Sequence, residues 1–219
     1  MNEILQPSPE IIQRSPEWFA ARLGSLGASE VYEAIARTKT GWGASRANVM
    51  ARKIVERLTG VPQDTYINAA MQNGIDTEPE ARIAYQLSRD VGVVEVGLIR
   101  HPSIPNTHAS PDGLIGDDGL LEIKCPQSAK HIETLLGQVI DLRYHTQMQW
   151  QMACSGRQWC DFVSYDPRMP EHMRLFVQRV DRNDERIEEL EEMVRDFLGE
   201  LDEKLARLRA LAEPLAMAG

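Results

Sequence analysis

Residues 110–126 read SPDGLIGDDGLLEIKCP, and no other stretch limits the possible folds as tightly. Two short β-prone runs, 113–116 and 119–125, flank a Gly- and Asp-rich turn, so a tight hairpin is expected. Side chains alternate across a strand, which places Leu121, Ile123 and Cys125 on one face and Glu122 with Lys124 on the other. The hairpin is expected to bring Asp112 near the start of its second strand. Two readings follow. As a solvated face, the Glu122–Lys124 pair would contribute only about 0–1 kcal/mol. As a site, Asp112 and Glu122 would repel each other and become compatible around a divalent cation.

The spacing alone does not choose between them. An acid-x-Lys triplet arises by chance about once or twice in a chain of ordinary composition, and Asp202 and Lys204 repeat it on an acidic segment. An acid, a strand-turn-strand and then acid-x-Lys form a much rarer combination. Magnesium suits such a set, since it takes few protein oxygens and leaves positions for water and phosphate.

The surrounding chain reads as α/β around a mixed sheet, in one domain over residues 1–219. Two short helices are expected over 15–36, broken between Gly24 and Gly27, with Ser29 near the second N-cap. Further helices are expected over 46–58, 69–89, 129–136 and 142–155. Pro79 predicts an interruption, or a helix start, near Glu78. Strands are expected over 91–101, 107–110, 113–116 and 119–125, and in WCDFVSYD and HMRLFVQRV. The segment 184–211 predicts a long amphipathic helix, with Ile187, Leu190, Val194, Phe197, Leu201, Leu205 and Leu208 along one stripe.

A net charge of −9 argues at first against a nucleic-acid partner. From Asp181 to Lys204, however, 11 acids face four bases, leaving 22 acids and 20 bases elsewhere. A local basic groove is therefore compatible with the total. Arg37, Lys39, Arg46, Arg52 and Lys53 are candidates to line it, or else scattered solvated cations. The residues MNEILQPSPE lack the basic flank and apolar core of a secretory signal, and no run is long enough to span a bilayer. Cys125, Cys154 and Cys160 form no CxxC pair, which gives a zinc site no support and fits reduced thiols in a cytoplasm. His108 and His145 have no metal-ligand spacing and read as structural.

The hairpin motif, Pro111-Asp112 followed by Glu122-Ile123-Lys124, resembles the signature of PD-(D/E)XK nucleases. The likeness extends to W-x-x-A-R-L-G-x-L-G-A-S-E-V (18–31), N-G-x-x-x-E-P-E-A-R (73–82), Y-H-T-Q-M-Q (144–149) and YDPRM (165–169). Taken in order, these patches resemble the phage lambda-type recombination exonucleases over most of the chain.

The resemblance implies a PD-(D/E)XK core with a long C-terminal helix, and a magnesium-dependent 5′-to-3′ exonuclease acting on double-stranded DNA ends. It implies a 3′ single-stranded overhang for homologous recombination, a ring of three subunits, a single-strand annealing protein as partner, and a bacterial or phage-infected cytoplasm. Asp112 and Glu122, with the Ile123 carbonyl, would hold one Mg²⁺. Glu78 would complete a second position about 4 Å away, with Mn²⁺ as a substitute. The alternative for Glu78 is an exposed helix residue paired with Arg82 at i+4. Lys124 would activate the attacking water. Arg22, Ser29, Ser110 and Gln147 match positions that hold a terminal 5′-phosphate. Gln149 is a weaker nominee, and Met71 matches an apolar wedge where a core methionine would also fit. An endonuclease of the same superfamily, or a catalytically silent DNA-binding scaffold, remains as an alternative.

Overall fold

The computed structural model describes residues 11–39, 41–63 and 68–216. The expectation about a secretory signal in residues 1–10 lies outside them. No described helix is long and apolar enough to cross a membrane.

Helix α1 (Pro16–Arg22) starts at Ser15, whose hydroxyl accepts the Trp18 N–H, with Pro16 in the first turn. Strand β1 (Leu26–Gly27) and helix α2 (Ala28–Ala34) follow the expected break. Gly24 takes φ +67 there, and an added Cβ would meet the Arg57 side chain at 2.6 Å. The cap of α2 is Gly27, not Ser29. The Glu30 carboxylate reaches back to the Gly27 N–H at 2.8 Å, which leaves the Ser29 hydroxyl free of capping duty.

The ribbon β2 (Arg37–Thr38) and β3 (Gly41–Trp42) leads into α3 (Ala44–Thr59). Helix α4 (Ala69–Arg89) runs unbroken through Pro79, against the expected interruption. Proline there removes one backbone donor, a cost of about 3 kcal/mol. Flanking contacts offset it: Ala81 and Tyr85 are buried against the sheet, and Glu80 accepts the Tyr165 hydroxyl at 2.7 Å.

Apart from that ribbon, the described strands form two sheets. Strand β1 pairs in parallel with β5 (Thr107–Ala109), which pairs antiparallel with β4 (Ile99–Arg100). Most of 91–101 is not strand; only Ile99–Arg100 and a bridge from Val94 to Leu114 take sheet pairing. The mixed sheet runs β6 (Gly113–Ile115), β7 (Gly119–Lys124), β8 (Trp159–Tyr165), β9 (Leu175–Asp181), with β7 and β8 parallel and both outer pairs antiparallel. Helices α5 (Ser128–Gly137) and α6 (Leu142–Ser155) make the crossover from β7 to β8.

Both faces of the mixed sheet are covered. Leu121, Ile123, Val163 and Tyr165 pack beneath α4, while Leu120, Cys160, Phe162 and Val180 join the larger core. Helix α7 (Asp184–Ala216) seals that core with Ile187, Leu190, Val194, Phe197, Leu201 and Leu205, whereas Leu208 is exposed. The three cysteines are free thiols.

The basic groove is not assembled as expected. Arg46 is buried between the Trp42 and Phe197 rings, donates to the Ala34 carbonyl and pairs with Glu200 at 2.5 Å. Lys53 is buried between Glu30 and Glu56, at 3.0 and 3.2 Å, and Arg52 pairs with Glu30 at 2.8 Å. Helical spacing turned these cations inward, where acids compensate them. Arg37, stacked on Trp42, and Lys39 remain on the surface.

Candidate active site

The β6–β7 hairpin turns at Gly116, where φ is +51, and its register pairs Gly113 with Leu121. Asp112 therefore lies level with the far end of β7, not with its start. Its backbone N–H donates to the Leu121 carbonyl at 3.0 Å, and its Oδ2 accepts the Ile123 N–H at 2.6 Å. The turn thus delivers one carboxylate beside the two residues that follow it.

Glu122 does not lie on a solvated face. It is 1% exposed, because α6 covers that side of β7. Gln147 and Gln151, one helical turn apart, donate Nε2–H bonds to its Oε1 and Oε2 at 2.7 and 2.6 Å. Lys124 Nζ completes the grip at 2.5 Å from Oε1 and lies 5.0 Å from the Tyr144 ring centroid. A buried carboxylate is tolerable only with such donors. Gln151 was not singled out from sequence, yet its i+4 relation to Gln147 was a readable signal.

The electrostatics are uneven. Burial, then the negative charges of Glu122 and Glu78, push the Asp112 carboxyl well above its ordinary pKa, against the pull of Lys124 and the Ile123 N–H. Burial works against the Lys124 ammonium, but the Glu122 and Asp112 carboxylates prevail and raise its pKa. Lys124 is accordingly a firmly held cation here. Glu78, on α4, is not an exposed residue: it pairs with Arg82 at 2.8 Å and with Arg14 at 3.0 Å.

No three His, Cys, Asp or Glu side chains among the described residues form a ready cage for a metal ion. A magnesium site does not need one, since one or two carboxylates with water and phosphate suffice. Asp112 and Glu122, held together against their repulsion with Glu78 nearby, fit a divalent cation as donors.

Beside this cluster, Arg22, Ser29, Ser110 and Gln147 line one small cleft of ≈ 30 Å³, together with Gly27, Ala28 and His108. The resemblance implies these four residues as one group, and the fold sets all four on one cleft. Trp18 organises two of them. Its Nε1–H donates to Ser110 Oγ at 3.1 Å, and its ring carries the Arg22 guanidinium 3.9 Å from its centroid. Among the described residues that guanidinium has no hydrogen-bond or ion-pair partner, so its planar donors are available to an anion. Burial lowers the Arg22 pKa, and the fields of Glu30 and Glu56 oppose the shift. Gln147 belongs to both sites: one N–H is spent on Glu122, and the amide lines the cleft.

Two nominees are absent from the cleft lining. Gln149 is consumed by structure, donating to the Asp181 carbonyl and accepting the Asn183 N–H at 2.8 and 2.9 Å. Met71 is 53% exposed in the first turn of α4, which removes the core reading without placing it beside the cluster. His145 is partly buried on α6, whereas His108, read as structural, borders the cleft.

The family model described as the YqaJ-like viral recombinase domain matches residues 17–158. An alkaline exonuclease from Laribacter hongkongensis is 50% identical, with a TM-score of 0.86, covering 92% of this chain and 100% of its own. Its structure in complex with dAMP matches with the same figures. A phage related exonuclease from Haemophilus somnus 129PT, 14% identical over 84% of this chain and 96% of its own, superposes with a TM-score of 0.65 and speaks to the fold alone. No curated protein matches.

Proposed function

Because the chain belongs to the YqaJ-like viral recombinase domain family, we propose that it is a divalent-metal-dependent exonuclease that degrades the 5′-ended strand of duplex DNA and leaves a 3′ overhang. The nuclease class rests on family membership and on the 50% identical alkaline exonuclease. The finer reading rests on one observation. A cleft whose arginine has no polar partner among the described residues adjoins a carboxylate-lysine cluster, and Gln147 touches both.

In this reading Arg22, Ser29, Ser110 and Gln147 hold the terminal phosphate and so position the first phosphodiester. Gln147 and Gln151 hold the Glu122 carboxylate in orientation within the core. Lys124, held as an ammonium, orients the attacking water and offsets charge that builds on the phosphate. Held by Asp112, Glu122 and the Ile123 carbonyl, with Glu78 at a second position, Mg²⁺ or Mn²⁺ would supply Lewis-acid polarisation of the phosphate and acidify water. We read residues 1–219 as one nuclease domain. The exposed apolar residues Ile132, Leu136, Val139 and Leu142, clustered where α5 passes into α6, support a self-associating surface for the three-membered ring. A single-strand annealing protein would receive the overhang.

Digestion of linear and closed circular duplex tests the proposal, with 5′-phosphate or 5′-hydroxyl ends, in Mg²⁺ or EDTA. Loss of linear DNA alone, faster from phosphorylated ends and abolished by EDTA, is expected. Cutting of closed circles would instead indicate an endonuclease, and binding without cleavage a scaffold. Arg22→Ala should reduce the preference for phosphorylated ends by about tenfold or more, the worth of a charge-assisted hydrogen bond. An unchanged preference would remove Arg22 from that role.

A further inference from the structure

His108 is 1% exposed, and its two ring nitrogens have different fates. Nδ1 lies 2.8 Å from Ser25 Oγ. With that hydroxyl donating, Nδ1 is the acceptor and the ring proton resides on Nε2. Nε2 is buried and, among the described residues, has no hydrogen-bond partner, an uncommon condition for a buried polar atom. The ring borders the small cleft that also holds Arg22, Ser29, Ser110 and Gln147. Residue 27 puts no side chain against that nitrogen, since a Cβ on Gly27 would lie only 3.0 Å from Nε2. The ring also stays neutral: burial first, then the nearby charges of Arg22, Lys53 and Arg100, hold its pKa well below the ordinary histidine value.

We propose that His108 is a further specificity-determining residue of the phosphate cleft, donating its Nε2–H to an oxygen of the terminal 5′-phosphate. This rests on the reading of the cleft as the end-phosphate site. Three features carry it: an unsatisfied donor, its place on the cleft wall, and a neighbouring residue without a side chain. A neutral donor adds a directional bond beside the arginine without bringing a second full charge into a buried site already crowded with cations. It also favours phosphate over a hydroxyl, because a terminal hydroxyl does not extend to meet a donor set at that depth.

Two substitutions separate this role from packing. In His108→Asn the shorter amide reaches the Nδ1 position and keeps the Ser25 contact but removes the Nε2 donor. In His108→Gln the longer amide restores a donor near Nε2 at the expense of the Ser25 contact. Rates on 5′-phosphorylated and 5′-hydroxyl linear duplexes should show the phosphate-to-hydroxyl ratio falling about tenfold in His108→Asn, with His108→Gln recovering part of it. A ratio equal to that of the parent in His108→Asn, or lower in His108→Gln than in His108→Asn, overturns the proposal. Arg22→Ala in the same assay tells the two levels apart. If it collapses the ratio while His108→Asn does not, only the histidine role fails; if neither changes it, the end-phosphate reading itself fails. Should the variants not fold, ¹⁵N-histidine spectra of the parent protein in EDTA decide. The His108 Nε2 resonance should shift with a 5′-phosphorylated duplex and not with its 5′-hydroxyl counterpart, and equal spectra overturn the proposal.

Discussion

Asp112→Asn should lower the cleavage rate by about three orders of magnitude or more, while the metal-free protein becomes more stable at neutral and alkaline pH. The rate estimate follows from losing several kcal/mol of metal-derived stabilisation at tenfold per 1.36 kcal/mol. The stability gain has a separate origin. Burial and the Glu122 and Glu78 charges raise the folded-state pKa of Asp112 above its usual 3.8. As pH rises from that value through the raised one, the folded state retains a proton that the unfolded chain has released. Stability from this group therefore falls across that window and stays reduced above it. The amide never ionises and escapes the loss. In EDTA, thermal melts should place the variant above the parent at pH 8 and bring the two together near pH 4. Added Mg²⁺ should raise the parent's melting temperature more than the variant's. A variant that keeps full activity, or melts lower than the parent at pH 8 in EDTA, would contradict the assignment.

Lys124→Ala carries the second large effect. Loss of a positioned group that handles water and charge in the transition state commonly costs 10²–10⁴-fold in rate, and a fall of about that size in kcat is expected, with smaller change in KM. Stability should move the opposite way from Asp112→Asn. Glu122 is 1% exposed and would lose its cation at 2.5 Å, keeping only the two glutamine amides. Removing one partner of a fully buried pair costs about 3–5 kcal/mol. The Lys124 side chain is 27% exposed, and the amides remain, so a loss of about 1–2 kcal/mol is the discounted expectation. Urea melts together with single-turnover kinetics measure both quantities. An unchanged rate would leave Lys124 a structural counterion only.

The contrast between these two substitutions reflects how the site is built. Glu122 enters the core because α6 presents Gln147 and Gln151 on one face, whereas Asp112 arrives on a turn with a single backbone donor. One carboxylate is fully satisfied by the fold and the other is not. An incompletely satisfied acid beside a satisfied one is a suitable place for an external cation to bind.

Much of this was legible in the chain because the signals were local. The hairpin follows from its glycines and alternation, and α7 from its apolar stripe, while α6 spans the expected 142–155. What eluded the sequence depended on partners distant along the chain. Arg46 and Lys53 look like surface cations until Glu200, Glu30 and Glu56 meet them in the core. Pro79 looks like a helix boundary until burial of Ala81 and Tyr85 stabilises the helix around it. The Glu122 side of β7 looks solvent-facing by alternation, but α6 lies across it, so alternation identified the face and not its environment. His108 carried no spacing signal at all; only the parallel pairing of β1 with β5 sets it beside Gly27.

Anomalous scattering from crystals grown with Mn²⁺ would locate the cation itself. A strong peak bounded by the Asp112 and Glu122 carboxylates and the Ile123 carbonyl is expected, lost in Asp112→Asn. Manganese bound only elsewhere, with Asp112 and Glu122 untouched by it, would mean that these carboxylates hold no catalytic metal.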